Sequence, residues 1–188
     1  MIISIGGAHG SGKSTIAKQL AEDLSWPRYY MGGLRREAAK KRGLTLAEYN
    51  KLGESDPQTD LEVDEYQRLL GETSDNFVIE GRTSWHFIPH SLKIYLDVNE
   101  EEAAIRVFSD LESRPEEAGI DASIEEISRI LIERKTSDEI RYRKFFNIEV
   151  YNPENYDFYL DTSALGIEEV RQKILEFVKN NLPQTDIE

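Results

Sequence analysis

A glycine-rich stretch near the start of the chain carries residue types that bind phosphate. It is GGAHGSGKST, and from Gly7 to Ser14 it fits the pattern G-x-x-x-x-G-K-[S/T]. Glycines at this spacing let backbone N–H groups converge on phosphate oxygens, and the helix expected after the loop adds partial positive charge. Lys13 would reach the β- and γ-phosphates of a nucleotide, and the Ser14 hydroxyl suits Mg²⁺, which prefers hard oxygen ligands. We therefore predict that ATP and Mg²⁺ are bound by Gly7, Ala8, His9, Gly10, Ser11, Gly12, Lys13, Ser14 and Thr15.

The histidine in this loop, His9, stands at a variable position of the pattern. A histidine can serve as a general base, but phosphoryl transfer depends chiefly on positioning and electrostatic stabilisation. We interpret His9 as a contact within the loop or to a lid rather than as a catalytic base. The alternative for the whole loop is a tight strand–helix turn without a ligand, which is disfavoured because four positions of the pattern are specified.

A second candidate feature is a cluster of basic residues late in the chain. The protein as a whole is acidic, with 36 Asp and Glu against 23 Lys and Arg and a formal net charge of −13. That charge repels nucleic-acid backbones and anionic membrane surfaces, so we predict neither as a partner. A small phosphorylated ligand can still bind where cations are concentrated locally. The clustered cations are Arg129, Arg134, Lys135, Arg141, Arg143 and Lys144.

Two of these cations, Arg134 and Arg141, are seven residues apart and would therefore lie on one face of a helix. On that face they could gather around a phosphoryl group. The alternative is pairing within the helix, because Asp138 lies four residues from Arg134 and three from Arg141.

Length and composition limit the remaining possibilities. With 39% hydrophobic residues, we predict a single domain over residues 1–188. The absence of cysteine from the sequence excludes disulfides, thiolate zinc sites and cysteine nucleophiles. The chain starts with a strand pattern rather than a secretory signal, and no run approaches the roughly 18 apolar residues of a membrane helix, so we expect a cytoplasmic protein.

Apolar segments and helical patterns alternate along the chain. Such alternation is typical of a parallel sheet covered by helices, so we predict an α/β fold. Asn99 and Ser123, each followed three residues later by Glu, are predicted to cap two helices. The predicted strands are 2–5, 28–31 (closed by a turn at Gly32 and Gly33), 77–79, 92–96 and 158–160; the predicted helices are 13–24, 34–42, 46–52, 60–71, 100–111, 124–146 and 167–182.

A triphosphate-binding loop is shared by kinases, GTPases, motor ATPases and regulatory switches, so other residues must discriminate among them. GTPases ordinarily carry the guanine-binding sequence N-K-x-D, which this sequence lacks. The chain is also short for a motor or an oligomeric ATPase. A kinase acting on a small molecule is therefore the favoured class.

Four segments make the class more specific. GGLRREAAKKRG, DPQTDLEVD, FVIEGR and RKTSDEIRYRKFFNI occur in the order seen in archaeal-type cytidylate kinases, and the chain resembles that family over nearly its whole length. The resemblance implies a three-layer P-loop NTPase fold with a five-stranded parallel sheet flanked by helices. It also implies a helical acceptor-binding insertion at about 33–72 and a helical lid at about 108–148. The implied reaction is transfer of the ATP γ-phosphoryl group to CMP or dCMP by a monomer or homodimer.

The resemblance also implies roles for individual residues. Arginines would hold the acceptor's phosphate and neutralise charge as it develops on the transferring group. The alternatives are a solvated helix face for Asp60 and the nearby Asp64, and a structural pairing of Glu80 with Arg82. The implied catalytic residues are Lys13, Arg82, Arg134 and Arg141, the acceptor-binding residues are Arg36, Arg82 and Asp60, and the metal-binding residues are Ser14 and Glu80.

Two residues depart from the family pattern. Arg35 stands where relatives usually carry an aromatic residue, which leaves open another acceptor such as AMP, UMP or a sugar. Asp110 stands where relatives tend to place a lid arginine, so either Arg114 substitutes for it or the lid is electrostatically weakened. The alternative functions are therefore a kinase for another small acceptor and a nucleotide-binding module that has lost transfer activity.

Overall fold

The computed structural model describes residues 1–111 and 122–182, and its centre is a five-stranded sheet. The strands are β1 (Ile2–Gly7), β2 (Arg28–Tyr30), β3 (Phe77–Glu80), β4 (Leu92–Asp97) and β5 (Phe158–Asp161). Their order in the sheet is β2-β3-β1-β4-β5, and every neighbouring pair is parallel. The predicted α/β fold with a five-stranded parallel sheet is confirmed.

Helices connect the strands and cover the sheet. The seven predicted helices are confirmed with end shifts of up to three residues, whereas the short helix at Ser84–Phe87 has no predicted counterpart. Within the described ranges, no helix is both long and apolar enough to cross a bilayer. The helices are α1 (Lys13–Leu24), α2 (Met31–Lys41), α3 (Leu46–Gly53), α4 (Gln58–Thr73), α5 (Ser84–Phe87), α6 (Glu100–Ser109), α7 (Ile124–Phe146) and α8 (Ile167–Asn181).

The predicted glycine turn after β2 is wrong. Gly32 and Gly33 belong to the first turn of α2, which begins at Met31 directly after the strand. A Cβ on Gly32 would lie 2.7 Å from a ring carbon of Tyr30, and one on Gly33 would lie 2.9 Å from another. The two glycines therefore make room for an aromatic ring instead of turning the chain.

The predicted helix caps are confirmed. The Asn99 side chain accepts a hydrogen bond from the backbone N–H of Glu102, and Ser123 forms a complete capping box with Glu126. Each cap satisfies a backbone donor that has no partner within its own helix. The starts of α6 and α7 are thereby fixed by local sequence.

The sheet is packed on both faces. On one face, α1 and α8 bury an apolar cluster against β1, β3 and β4, with Ile5, Leu20 and Ile174 almost fully inaccessible. On the other face, Met31 and Leu70 pack against Phe77 and Ile79 of β3. This three-layer arrangement leaves the carboxyl ends of the strands open, and ligands bind at that edge in open α/β sheets. Arg114, the predicted substitute for a lid arginine at position 110, lies outside the described residues.

Candidate active site

The glycine-rich loop joins the end of β1 to α1 and is shaped by left-handed backbone conformations. Gly7 has a φ of +125°, and a Cβ there would lie 2.0 Å from the Leu96 carbonyl oxygen, so the loop lies directly against β4. Gly12 caps α1 with a φ of +83°, but a Cβ there would meet nothing within 4 Å. The loop is therefore closed toward β4 and open at Gly12, where the first N–H groups of α1 can bind a phosphate.

The lysine of the loop is held close to the backbone. Its ammonium group donates to the Ala8 carbonyl oxygen and lies 3.4 Å from Ser11 Oγ. The Ser11 hydroxyl donates to the same carbonyl at 2.9 Å. These contacts place the Lys13 charge within the loop, where the predicted phosphates would lie.

Three cavities that share lining residues lie at the loop and beside it. The loop cavity, of about 580 Å³, lies between the loop, α6 and the start of α8. The outer cavity, of about 1050 Å³, lies between α2, α3 and α7. The central cavity, of about 90 Å³, shares Gly10, Lys13, Ser14 and Val107 with the loop cavity and Arg36, Leu46, Asn50 and Arg134 with the outer cavity. Two ligands, one in each large cavity, would therefore meet in the central one.

The central cavity is strongly cationic. Among the described residues, five cations and a single carboxylate line it: Lys13, Arg35, Arg36, Arg82 and Arg134, with Glu80. Burial, together with the charges of Arg82 and Arg36, lowers the pKa of Arg134 to about 9. A lowered arginine pKa means that the positive charge is destabilised, and an anion in the cavity would offset that cost. The cavity therefore suits a phosphate or a transferring phosphoryl group.

Behind the central cavity, buried arginines and aspartates alternate. Arg82 pairs with Asp138 at 2.5 Å, and Asp138 pairs with Arg141 at 2.6 Å. Arg141 Nε lies 3.2 Å from Asp60 Oδ2, and Asp60 also pairs with Arg35. Each aspartate compensates two arginines, which reduces the cost of burying the charges. We call these five residues the ion-pair chain.

The ion-pair chain connects elements that are distant in sequence. Arg82 follows β3, Arg35 lies on α2, Asp60 lies on α4, and the other two residues lie on α7. Tyr142 of α7 adds a hydrogen bond to Asp60 Oδ1 at 3.1 Å. The helices between β2 and β3 are therefore tied to α7.

His9 connects the loop to α7. Its Nε2 lies 3.3 Å from Asp138 Oδ2, and Tyr151 donates to the same oxygen at 2.7 Å. Burial, with the nearby charges of Arg82 and Arg134, lowers the pKa of His9 well below its ordinary value, so the imidazole is neutral at pH 7. This position agrees with the interpretation of His9 as a lid contact.

The predicted site residues fall into two groups. Arg141 and Asp60 are fully buried in the ion-pair chain and line none of the three cavities. The alternative reading of Asp60 and Asp64 as a solvated helix face is wrong, because they are only 1% and 3% exposed. The predicted residues that meet at the central cavity are His9, Gly10, Lys13, Ser14, Arg36, Glu80, Arg82 and Arg134.

Glu80 and Ser14 both line the central cavity and provide hard oxygen donors, which Mg²⁺ prefers. The Glu80 carboxylate accepts a hydrogen bond from Arg28 Nε at 3.1 Å. The suggested pairing of Glu80 with Arg82 is therefore wrong, since Arg82 pairs with Asp138 instead. The donor set fits a magnesium ion that keeps several water ligands.

The far end of the loop cavity contains Arg106. Its guanidinium donates to Thr162 Oγ1 at 2.9 Å and to the Thr162 carbonyl oxygen at 2.7 Å. Asp110, which departs from the family pattern, lines the same cavity. Beside Lys13, the loop cavity is therefore lined by one further cation, Arg106, and by two acids, Glu102 and Asp110.

Sequence reasoning missed three residues at the site: Tyr30, Asn50 and Tyr151. Tyr30 lines the central cavity, Asn50 accepts from Arg35 Nε at 2.9 Å, and Tyr151 bonds Asp138. The only available signal was for Tyr30, which ends a strand and precedes two glycines. Asn50 and Tyr151 contact Arg35 and Asp138, which lie on other segments of the chain, so the local sequence around them gives no signal.

Asp64, beside the ion-pair chain, is expected to make stability depend on pH. Its Oδ1 accepts from Thr83 and Gln67, both at 3.1 Å, while Oδ2 is buried without a hydrogen-bond partner in the described part of the chain. Burial and the charge of Asp60 raise the pKa of Asp64 to about 7. Between about pH 4 and pH 7 the unfolded state has released a proton that the folded state keeps, so stability falls as pH rises.

We expect Asp64→Asn to remove this contribution. A carboxyl with this shift costs about 2–3 kcal/mol of stability between pH 5 and pH 8, and the variant should lose correspondingly less over that range. Urea unfolding at the two pH values measures the difference. Glu62→Gln, at an exposed position of the same helix, is the control. Equal pH dependence in Asp64→Asn and the wild type would refute the assignment.

A phosphate-binding loop at the end of the first parallel strand, facing a second ligand cavity across a cationic centre, defines the class of P-loop kinases. A shikimate kinase from Acinetobacter baumannii, solved in complex with shikimate, has a TM-score of 0.56 at 18% identity, covering 96% of this chain and 93% of that one. An uncharacterized protein from Eubacterium ventriosum ATCC 27560 has a TM-score of 0.69 at 17% identity, with coverages of 95% and 98%. At these identities the likeness shows the fold alone.

Within that class, the chain belongs to the cytidylate kinase-like family, whose model matches residues 2–164. The cytidylate kinase of Natronomonas pharaonis is 36% identical over 188 residues, covering 99% of this chain and 93% of the relative. The cytidylate kinase of Methanococcoides burtonii is 34% identical over 163 residues, with coverages of 87% and 88%. The predicted family resemblance is confirmed.

Proposed function

We propose that this protein is a nucleoside monophosphate kinase that transfers the γ-phosphoryl group of ATP to CMP or dCMP, giving CDP or dCDP. The observation that carries the proposal is the cationic central cavity, which joins two cavities large enough for a nucleotide each. The relatives named cytidylate kinase support the choice of acceptor.

In this proposal ATP occupies the loop cavity. Its phosphates lie on the N–H groups at the start of α1 and against Lys13, and its nucleoside extends toward Arg106 and Thr162. The acceptor occupies the outer cavity between α7 and the acceptor-binding insertion, which comprises α2, α3 and α4. Its phosphate reaches the central cavity, where Arg36 and Arg82 can bind two oxygens each.

The reaction is a direct in-line displacement. An oxygen of the acceptor's phosphate attacks the γ-phosphorus, the bond to the β–γ bridging oxygen breaks, and ADP leaves with that electron pair. A phosphate monoester has a second pKa of about 6, so the acceptor is mostly dianionic at pH 7 and needs no general base. This agrees with a contact role for His9. Lys13 and Arg134 stabilise the charge on the transferring group.

Magnesium would be held by Ser14 and by water molecules oriented by Glu80. When bound, Mg²⁺ neutralises charge on the β- and γ-phosphates. Both residues line the central cavity beside Lys13. Their part is to fix the position of the metal and its water relative to the phosphates.

An acceptor panel tests the proposal. Purified protein is mixed with ATP and Mg²⁺, and ADP formation is followed with CMP, dCMP, UMP, AMP and no acceptor. We expect CMP or dCMP to exceed the other acceptors at least tenfold in kcat/KM, a discrimination within reach of a few hydrogen bonds, and we expect no ADP without an acceptor.

The other outcomes would contradict the proposal in distinct ways. A preference for UMP or AMP would indicate a kinase for another acceptor. ATP binding without any acceptor-dependent ADP would indicate a nucleotide-binding module, and Asp110 in the loop cavity would be the first residue to replace.

The proposal includes a cytoplasmic enzyme that works on small nucleotides as a monomer or homodimer. The net charge of −13 supports the choice of partners, because it disfavours nucleic acids and anionic membranes. The predicted lid at about 108–148 includes α7, while its residues 112–121 lie outside the described part of the chain.

A further inference from the structure

The side chain of Tyr30 lies between two arginines at the edge of the central cavity. Tyr30 is the last residue of β2 and pairs in register with Glu80 of β3. Its hydroxyl accepts a hydrogen bond from Arg36 Nη1, and the Arg36 Cζ is 5.5 Å from the ring centroid. Arg28, whose own partner is Glu80, lies 5.4 Å from the same centroid. Tyr30 therefore contacts both Arg36 and Arg28, the partner of the Glu80 carboxylate.

Tyr30 is 37% exposed, and its ring packs closely on one side. It lies against the backbone of Gly32 and Gly33, where even a Cβ would come within 3 Å of ring carbons. Both glycines lie inside α2, although glycine has a lower helix propensity than most residues. Packing the ring here therefore lowers the intrinsic stability of the helix. Because the ring is packed against these glycines, its hydroxyl offers the long, flexible Arg36 side chain a defined acceptor.

We propose that Tyr30 is a positioning residue for the acceptor, and that its hydroxyl holds the Arg36 guanidinium where the acceptor's phosphate binds. The inference rests on the proposed function, which places that phosphate at Arg36. Pre-ordering one rotamer-rich side chain improves binding by lowering the entropy lost when the ligand arrives. Tyr30 would therefore act on acceptor binding and not on the donor.

Tyr30→Phe tests the hydroxyl. It keeps the ring against the glycines and removes only the atom that accepts from Arg36. We expect KM for CMP to rise about five- to tenfold, in line with the loss of a hydrogen bond to a charged group, while kcat and KM for ATP stay within about twofold. Tyr159→Phe is the control. Tyr159 lies on β5, at the opposite edge of the sheet, and its hydroxyl donates to Asp97 at 2.8 Å.

Two further variants separate positioning from a structural role. In an Arg36→Ala background, Tyr30→Phe should cause no further rise in KM for CMP, because the two residues act as one unit. Gly33→Ala would place a Cβ 2.9 Å from the ring, so it should displace the ring and raise KM for CMP while KM for ATP stays within about twofold. A merely structural tyrosine would not give this combination.

Other results overturn the inference. An unchanged KM for CMP in Tyr30→Phe, an additive effect in the Arg36→Ala background, or equal changes in KM for both substrates would each do so. Failure of the proposed function is distinguishable, because it appears in the wild-type acceptor panel. If the wild type prefers another monophosphate, the same KM ratios measured with that monophosphate test Tyr30.

Discussion

Alanine in place of Lys13 is expected to lower kcat for phosphoryl transfer by roughly 10³-fold. Among the described residues Lys13 is the cation that lines both the loop cavity and the central cavity, so in the proposed reaction its ammonium would lie where the γ-phosphate passes from donor to acceptor. Its charge acts on the oxygens that gain charge in the transition state. The loop N–H groups remain in Lys13→Ala, so ATP binding should weaken much less than kcat falls.

Single-turnover kinetics with saturating CMP and calorimetric binding of ATP separate the two effects. Lys18→Ala is the matched control, because Lys18 is exposed on the same helix and its salt bridge is to Glu22 one turn away. A Lys13→Ala protein that keeps more than about a tenth of wild-type kcat would show that other cations carry the electrostatic stabilisation.

Asp138→Asn is expected to lower both stability and activity. Asp138 is 2% exposed and sits between the half-buried Arg82 and the fully buried Arg141, so its neutralisation removes the carboxylate that both guanidinium groups share. Breaking a buried ion pair in this way typically costs about 3–5 kcal/mol. We also expect kcat/KM for CMP to fall by about 10²-fold, since Arg82 would lose the partner that orients it toward the acceptor.

The pH dependence of this contribution has a definite sign. Although burial raises it, the charges of Arg82 and Arg141 hold the pKa of Asp138 well below its usual range. The carboxylate therefore stabilises the fold at all pH values above about 4, and this stabilisation is lost as pH falls through the folded-state pKa.

Urea unfolding at pH 7 measures the stability loss, and steady-state kinetics at a temperature where the variant is folded measure the activity loss. Glu139→Gln changes the adjacent acidic residue, which is exposed, and should match the wild type in both. Wild-type stability in Asp138→Asn would mean that the two arginines are compensated by other groups.

Sequence reasoning succeeded where the determinants are local. The loop from Gly7 to Ser14 specifies its own backbone conformation and its helix start, and the caps at Asn99 and Ser123 each depend on residues three positions away. The inner strands β1 and β3 were identifiable because buried parallel strands are almost continuously apolar. These features need no knowledge of tertiary contacts.

The buried charges could not be predicted in the same way. A helical segment with Asp60, Glu62 and Asp64 resembles a solvated face, because charged side chains are rarely buried without partners. The partners that make burial possible are Arg35, 25 residues before Asp60, and Tyr142, 82 residues after it. Only the tertiary structure brings these residues together, and the same holds for Arg82 and Asp138.

The alternation of charge along the ion-pair chain also constrains how this sequence can diverge. Loss of any one of its five residues leaves a neighbour charged and buried, so single substitutions there are costly while paired ones can be nearly neutral. Descendants of this protein should therefore exchange the other four positions of the ion-pair chain in compensating pairs and keep Arg82, which lines the central cavity. We expect the first compensating exchange at Arg35 and Asp60, because this pair forms the end of the ion-pair chain opposite to Arg82.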